Sequence, residues 1–217
     1  MGSVSANIQT IAMLAPVADH AKHITPVRKQ AMQLICAAQK VLREYIPNHV
    51  ARFDDTFSPR SFGDNIVSQG VSTILIESGT FINDPHRQVA RKMNVLTYFT
   101  LLDALLHNKY EHYTIEDYFA IPEHQDDVYV DLKLTDLLIA NTDHPFTIDI
   151  TINVDKHGST NIEHLGDCHT VKGFKELSLS GYQLISDYQD LQPDSAANLI
   201  FVSPSGLLIT INELLST

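Results

Sequence analysis

Hydrophobic positions follow one rhythm along this chain up to about residue 122 and another beyond it. Residues 8–15, IQTIAMLA, form an apolar stretch that predicts a buried strand stopped by Pro16. A loop, ADHAKHI, leads to Thr25 and Pro26, an N-cap followed by proline at the first helical position. From there Val27, Ala31, Leu34, Ile35, Ala38, Val41, Leu42 and Tyr45 recur at helical spacing, predicting a helix over 26–45 that Pro47 ends. Residues 48–65, NHVARFDDTFSPRSFGDN, predict a long irregular loop packed down by Phe53, Phe57 and Phe62. Gly70 opens a second buried strand, Val71 to Ile76, which ends at Glu77. Asn83 or Asp84 then caps a helix with Pro85 at its first position. It runs to about His107, and Met93, Leu96, Leu101, Leu102, Leu105 and Leu106 make its later half apolar nearly all round, which predicts burial.

Past Pro122 and the acidic joint EHQDD the helical period disappears. Short alternating runs replace it at 128–134, 136–140, 146–154, 199–203 and 207–211, with turn residues between them. The fold class that follows is α/β, with a partial mixed sheet flanked by helices in residues 1–122. A small all-β, sandwich-like module follows in residues 123–217.

Composition narrows the function classes. The 26 acidic and 15 basic side chains leave a net charge of −11, and no Lys/Arg stripe is present, so nucleic acid is an unsuitable partner. No apolar run reaches the ~20 residues of a membrane span. The start, MGSVSANIQTIAML, has no basic stretch leading into a long apolar core and predicts no signal peptide. The compartment is otherwise unassigned. Two cysteines, Cys36 and Cys168, make no disulfide framework, and Cys36 reads as a small core residue.

The ordered features DDTFSPRSFGDN, GVSTILIESG and DPHRQVARKMNVLTYFTLLDAL resemble the C-terminal half of a zinc carboxypeptidase catalytic domain, the carboxypeptidase A-like metallopeptidases. Bacterial members with an added C-terminal β-module are the most similar in plan, and the likeness covers residues 8 to about 118. The resemblance implies a mixed sheet wrapped by helices and a hydrolase that removes C-terminal residues from peptides. It also implies zinc as cofactor and a general base at Glu77, where a carboxylate takes a proton from metal-bound water. Arg60, the arginine in the loop before the strand, is the candidate for holding the substrate carboxylate. Asp64 and Gly70 read as loop-shaping.

The chain departs from that pattern in several places. It contains no H-x-x-E motif, and the family's remote zinc histidine would precede the IQTIAMLA strand. No tyrosine occurs between Tyr45 and Tyr98. No metal ligands are assigned, and the chain alone is expected to bind no zinc at Glu77. His20 and His23 have ligand spacing but lie in a loop; His107, Glu111 and His112 read as a polar helix end. His164, Cys168 and His169 sit near a turn and could contribute to a zinc site. Three readings stay open: part of a carboxypeptidase-like enzyme, a non-catalytic binding or assembly module of that descent, and an unrelated α/β protein with a β-module. The first two carry an expectation of association, as a homodimer or with a chain supplying the missing N-terminal half.

Overall fold

The computed structural model describes the chain apart from residues 1–2, 5–6, 83, 85, 126–128, 156, 188–190 and 217. It combines helices with two larger sheets, and the chain divides into two compact units, Met1–Asp127 and Val128–Thr217.

In the first unit a small antiparallel pair, β1 (Ser3–Val4) and β2 (Asn7–Ile8), precedes a three-stranded mixed sheet. The apolar run 8–15 is thus split: its second part is β3 (Ile11–Leu14), the central strand. The break lies at Gln9 and Thr10, where the Thr10 amide donates to His49 O and the Thr10 hydroxyl to Thr80 O. Helix α1 (Pro26–Tyr45) has the bounds its cap predicts, with Thr25 Oγ1 accepting from the Arg28 amide.

The expected loop 48–65 is partly regular. It holds β4 (Val50–Arg52), parallel to β3, and the start of α2 (Phe62–Ser68). Three residues of strand and seven of helix are too short to show a period, which is why the pattern missed them. Ser61 caps α2 by accepting from the Asp64 amide at 3.2 Å, and buried Asp64 accepts from the Ser58 amide at 2.6 Å, a loop-shaping role.

The third strand, β5 (Leu75–Ser78), pairs antiparallel with β3 and forms an edge of the sheet. The expectation of a buried strand over 71–76 is corrected: the ordered segment is shorter and lies later, at the edge of the sheet among the described residues, and Val71 and Leu75 are exposed. Helix α3 (Gln88–Leu106) begins after the expected cap; Asn83 and Pro85 lie outside the described residues. It packs Met93, Leu96 and Leu101 against a core with Ile11, Met13, Met32, Ile35 and Leu42. A short α4 (Ile115–Phe119), closed by a capping box between Thr114 and Asp117, buries Tyr118, whose hydroxyl accepts from the Ala15 amide.

The second unit is one connected seven-stranded sheet. The runs at 128–134 and 136–140 are a single strand, β6 (Tyr129–Ile139), with a register shift between Leu134 and Leu137. Strand β7 (Phe146–Val154) has the expected bounds and pairs with β6 and with β8 (Thr160–Gly166). Strands β9 (Lys172–Ser178) and β10 (Gln183–Leu184) both run parallel to β6. Strands β11 (Ile200–Val202) and β12 (Leu208–Thr210) extend the sheet, and α5 (Ile211–Ser216) follows. Its core gathers Leu132, Leu134, Ile150, Ile152, Leu184 and Phe201. Among the described residues these seven strands are hydrogen-bonded into one sheet, consistent with the expected β-module at the level of its strands.

Candidate functional site

Because β3 and β4 are parallel, their carboxyl ends share one edge, the edge at which open α/β sheets place ligands. Arg28 occupies it, 1% exposed. A cation in the first turn of a helix opposes the helix dipole and requires a partner when buried. Its Nη2 donates to Asp55 Oδ2 at 2.8 Å, its Nη1 to Lys22 O at 2.7 Å and its Nε to Ala15 O at 3.2 Å. Burial raises the Asp55 carboxyl, but hydrogen bonds and charge from Lys22 and Arg28 outweigh it and hold Asp55 below the usual carboxylate range. The cluster therefore ties the end of β3, the loop at Lys22 and the loop after β4 together. Every nitrogen of the guanidinium already has an intramolecular partner, so the arrangement is a clamp.

Glu77 lies elsewhere. Its register partner is Ala12, and β5 runs opposite to β3, so Glu77 approaches the amino end of the central strand, away from the Arg28 clamp. Directly paired residues share a face. Glu77 thus stands on the side of Ala12 and Ala51, opposite the side where Ile11 and Met13 meet α1 and α3. It is exposed, and its carboxylate makes no side-chain hydrogen bond or ion pair with another described residue. Arg60 is also exposed, in the turn between Ser58 and the α2 cap at Ser61, and no ion pair joins it to Glu77. The structure does not bring these two sequence candidates together.

The remaining candidates are dispersed. His23 Nδ1 pairs with Asp19 at 3.0 Å, while the His20 ring stands edge-on to Phe57. His107 and Lys109 both pair with Asp103, and the His112 ring lies against Tyr113. His169 pairs with Asp167, His164 is held through its amide to Thr151 Oγ1, and Cys168 is buried. Among the described residues no three His, Cys, Asp or Glu side chains form a metal-binding group. The described residues around Glu77 do not fit a resident zinc. Burial, and then the charge of Asp117, push the Cys36 thiol up to about 12, which leaves it protonated and unreactive at neutral pH.

The feature the pattern misread is the outer side of α3. Ala90, Met93, Thr97 and Ala104 are its buried positions, so the expectation of a largely buried helix is corrected. Val95, Tyr98, Phe99, Leu102, Leu105 and Leu106 are between 44% and 76% exposed. Their spacing of three and four puts them on one stripe about three turns long. Apolarity around the whole circumference predicts burial within the chain; here the unit covers only one side. The stripe lies beside the open sheet edge, since Asn94 Nδ2 donates to Ser78 Oγ of β5 at 2.6 Å. The signal was present in the same sequence positions, and what the sequence lacked was the side from which cover comes.

Among the described residues no helix is long and apolar enough to cross a membrane. No family model, no curated protein and no solved structure matches this chain.

Proposed function

We propose that this chain is a binding and assembly module whose α/β unit works by docking through apolar surface. The exposed stripe of α3 carries the reading. Six large apolar side chains on one helix, at about 100 Å² apiece, make a patch of about 600 Å², at the upper end of what monomers leave open and near the ~800 Å² each partner contributes to a standard interface. The outer side of β5 next to it, unpaired among the described residues, adds a second surface that proteins usually cover. Light scattering across a concentration series tests the reading. A mass that rises with concentration supports it, and a clean monomer at high concentration contradicts it.

A second reading keeps the carboxypeptidase resemblance. Glu77 is exposed and unengaged among the described residues, so its carboxylate is available to a metal held by ligands from another chain. On that reading peptide hydrolysis appears only when such a chain and zinc are both supplied, and Glu77→Gln abolishes it. Hydrolysis unaffected by Glu77→Gln would remove this second reading.

A further inference from the structure

We propose that the guanidinium of Arg52 is a receptor for a small carboxylate ligand, and that Glu123 is the internal carboxylate that occupies it in the free chain. The inference goes beyond the assembly reading and does not depend on it.

Arg52 is the last residue of β4, at the same carboxyl edge of the sheet as Arg28. Its register partner is Met13, so its side chain stands on the core side of the sheet, and the residue is 9% exposed. The rings of Tyr118 and Phe119 have their centres 5.8 and 5.3 Å from its Cζ. Cation–π contact of this kind uses the charge of the guanidinium and none of its N–H groups. The donors need acceptors of their own. Arg28 meets an acceptor with each of its three nitrogens, and Arg52 does not: its Nε is buried and has no hydrogen-bond partner among the described residues. A buried donor left in this state is costly, and a ligand that meets it removes the cost.

A carboxylate can engage an arginine side-on, through two parallel bonds from Nε and Nη2. At Arg52 that pair of positions is half filled. Nη2 faces Glu123 Oε2 at 3.3 Å, long for a charge-assisted bond, while Nε is the orphaned donor. Backbone register, more than charge, brings Glu123 there. The Arg52 amide donates to Pro122 O and the His124 amide to Arg52 O, both at 2.8 Å, which sets Glu123 opposite Arg52 as its bridge partner. The Glu123 side chain is 56% exposed, so it can turn into water while both backbone bonds stay in place. Ligand entry then needs one rotamer change. The internal occupant also selects the ligand class. A free carboxylate is not tied to that register, so it can align both oxygens with Nε and Nη2.

The test uses the full chain, with sodium acetate as probe and sodium chloride at matched ionic strength as control. The Arg52 Nε–H signal in a nitrogen–proton correlation spectrum is the readout. Acetate should move that signal to saturation, and chloride should leave it in place. Glu123→Gln, at an exposed position whose ion pair contributes little to folding, should keep the native circular dichroism. It should bind acetate about fivefold more tightly than the native chain, as expected on losing a competitor of surface ion-pair strength. Acetate that leaves the Nε–H signal of Glu123→Gln unmoved, or moves it no further than chloride does, would overturn the receptor. Equal acetate affinity in the two chains would overturn Glu123 as its occupant.

Discussion

Arg28 and Asp55 show how a single charge pair can organise the ligand edge of a sheet without leaving anything for a ligand. Three donor nitrogens meet three acceptors from separate segments. Removing the carboxylate strands a guanidinium that is 1% exposed, so Asp55→Ala should cost about 3 kcal/mol in urea unfolding of the first unit. The pH dependence follows from the direction of the Asp55 shift. Its folded value lies below its unfolded value of about 4, so its contribution is fully present above that pH and is lost as pH falls through the lower, folded value. The difference between the native chain and Asp55→Ala should therefore be constant near neutrality and shrink below about pH 4. A difference that grows on acidification would mean the pair is organised otherwise. The sequence did carry a sign of this clamp. Arg28 sits on the same helical face as Ala31, Met32 and Ile35, and FDD follows β4 directly. A cation on an apolar face asks for a carboxylate. Glu77, in contrast, stood out only by ending an apolar run, and the antiparallel course of β5 that carries it toward the other edge leaves no mark in the residues themselves.

At the scale of elements, the join between β3 and β5 is closely packed at Gly79. Gly79 donates its amide to Thr10 O, and a Cβ on Gly79 would lie 2.1 Å from the Gln9 carbonyl oxygen. That oxygen is backbone and cannot swing aside. Gly79→Ala should force the strands apart and cost more than about 2 kcal/mol, measured by thermal unfolding. An alanine tolerated without loss would mean that β5 does not dock there. Elements with their own end signals were legible: Thr25–Pro26 set α1, and the alternation of FTIDITINV set β7. The missed elements lacked such signals. In β4 only three residues are regular, and TNIEHLG of β8 and KGFKELS of β9 mix polar and apolar positions, with β8 burying only Ile162 fully and β9 none. Their pairing with β6 and β7 is a tertiary event that strand propensity alone does not register.

For the whole molecule, the two units each hold their own cluster of buried side chains. Phe201 is fully buried in the second cluster, so Phe201→Ala should destabilise residues 128–217 by about 3–5 kcal/mol. The same variant should leave concentration-dependent association unchanged, because the docking surface lies on α3 in the first unit. Loss of association in Phe201→Ala would place the interface in the second unit.

Hydrogen exchange of the intact chain at several concentrations tests most directly whether this molecule assembles through its apolar helix. The account predicts that amides of 92–106 in α3 exchange more slowly as concentration rises, with 75–78 of β5 following and 146–154 of β7 unchanged. Exchange in α3 that is identical at every concentration, in a sample that remains monomeric, would contradict it.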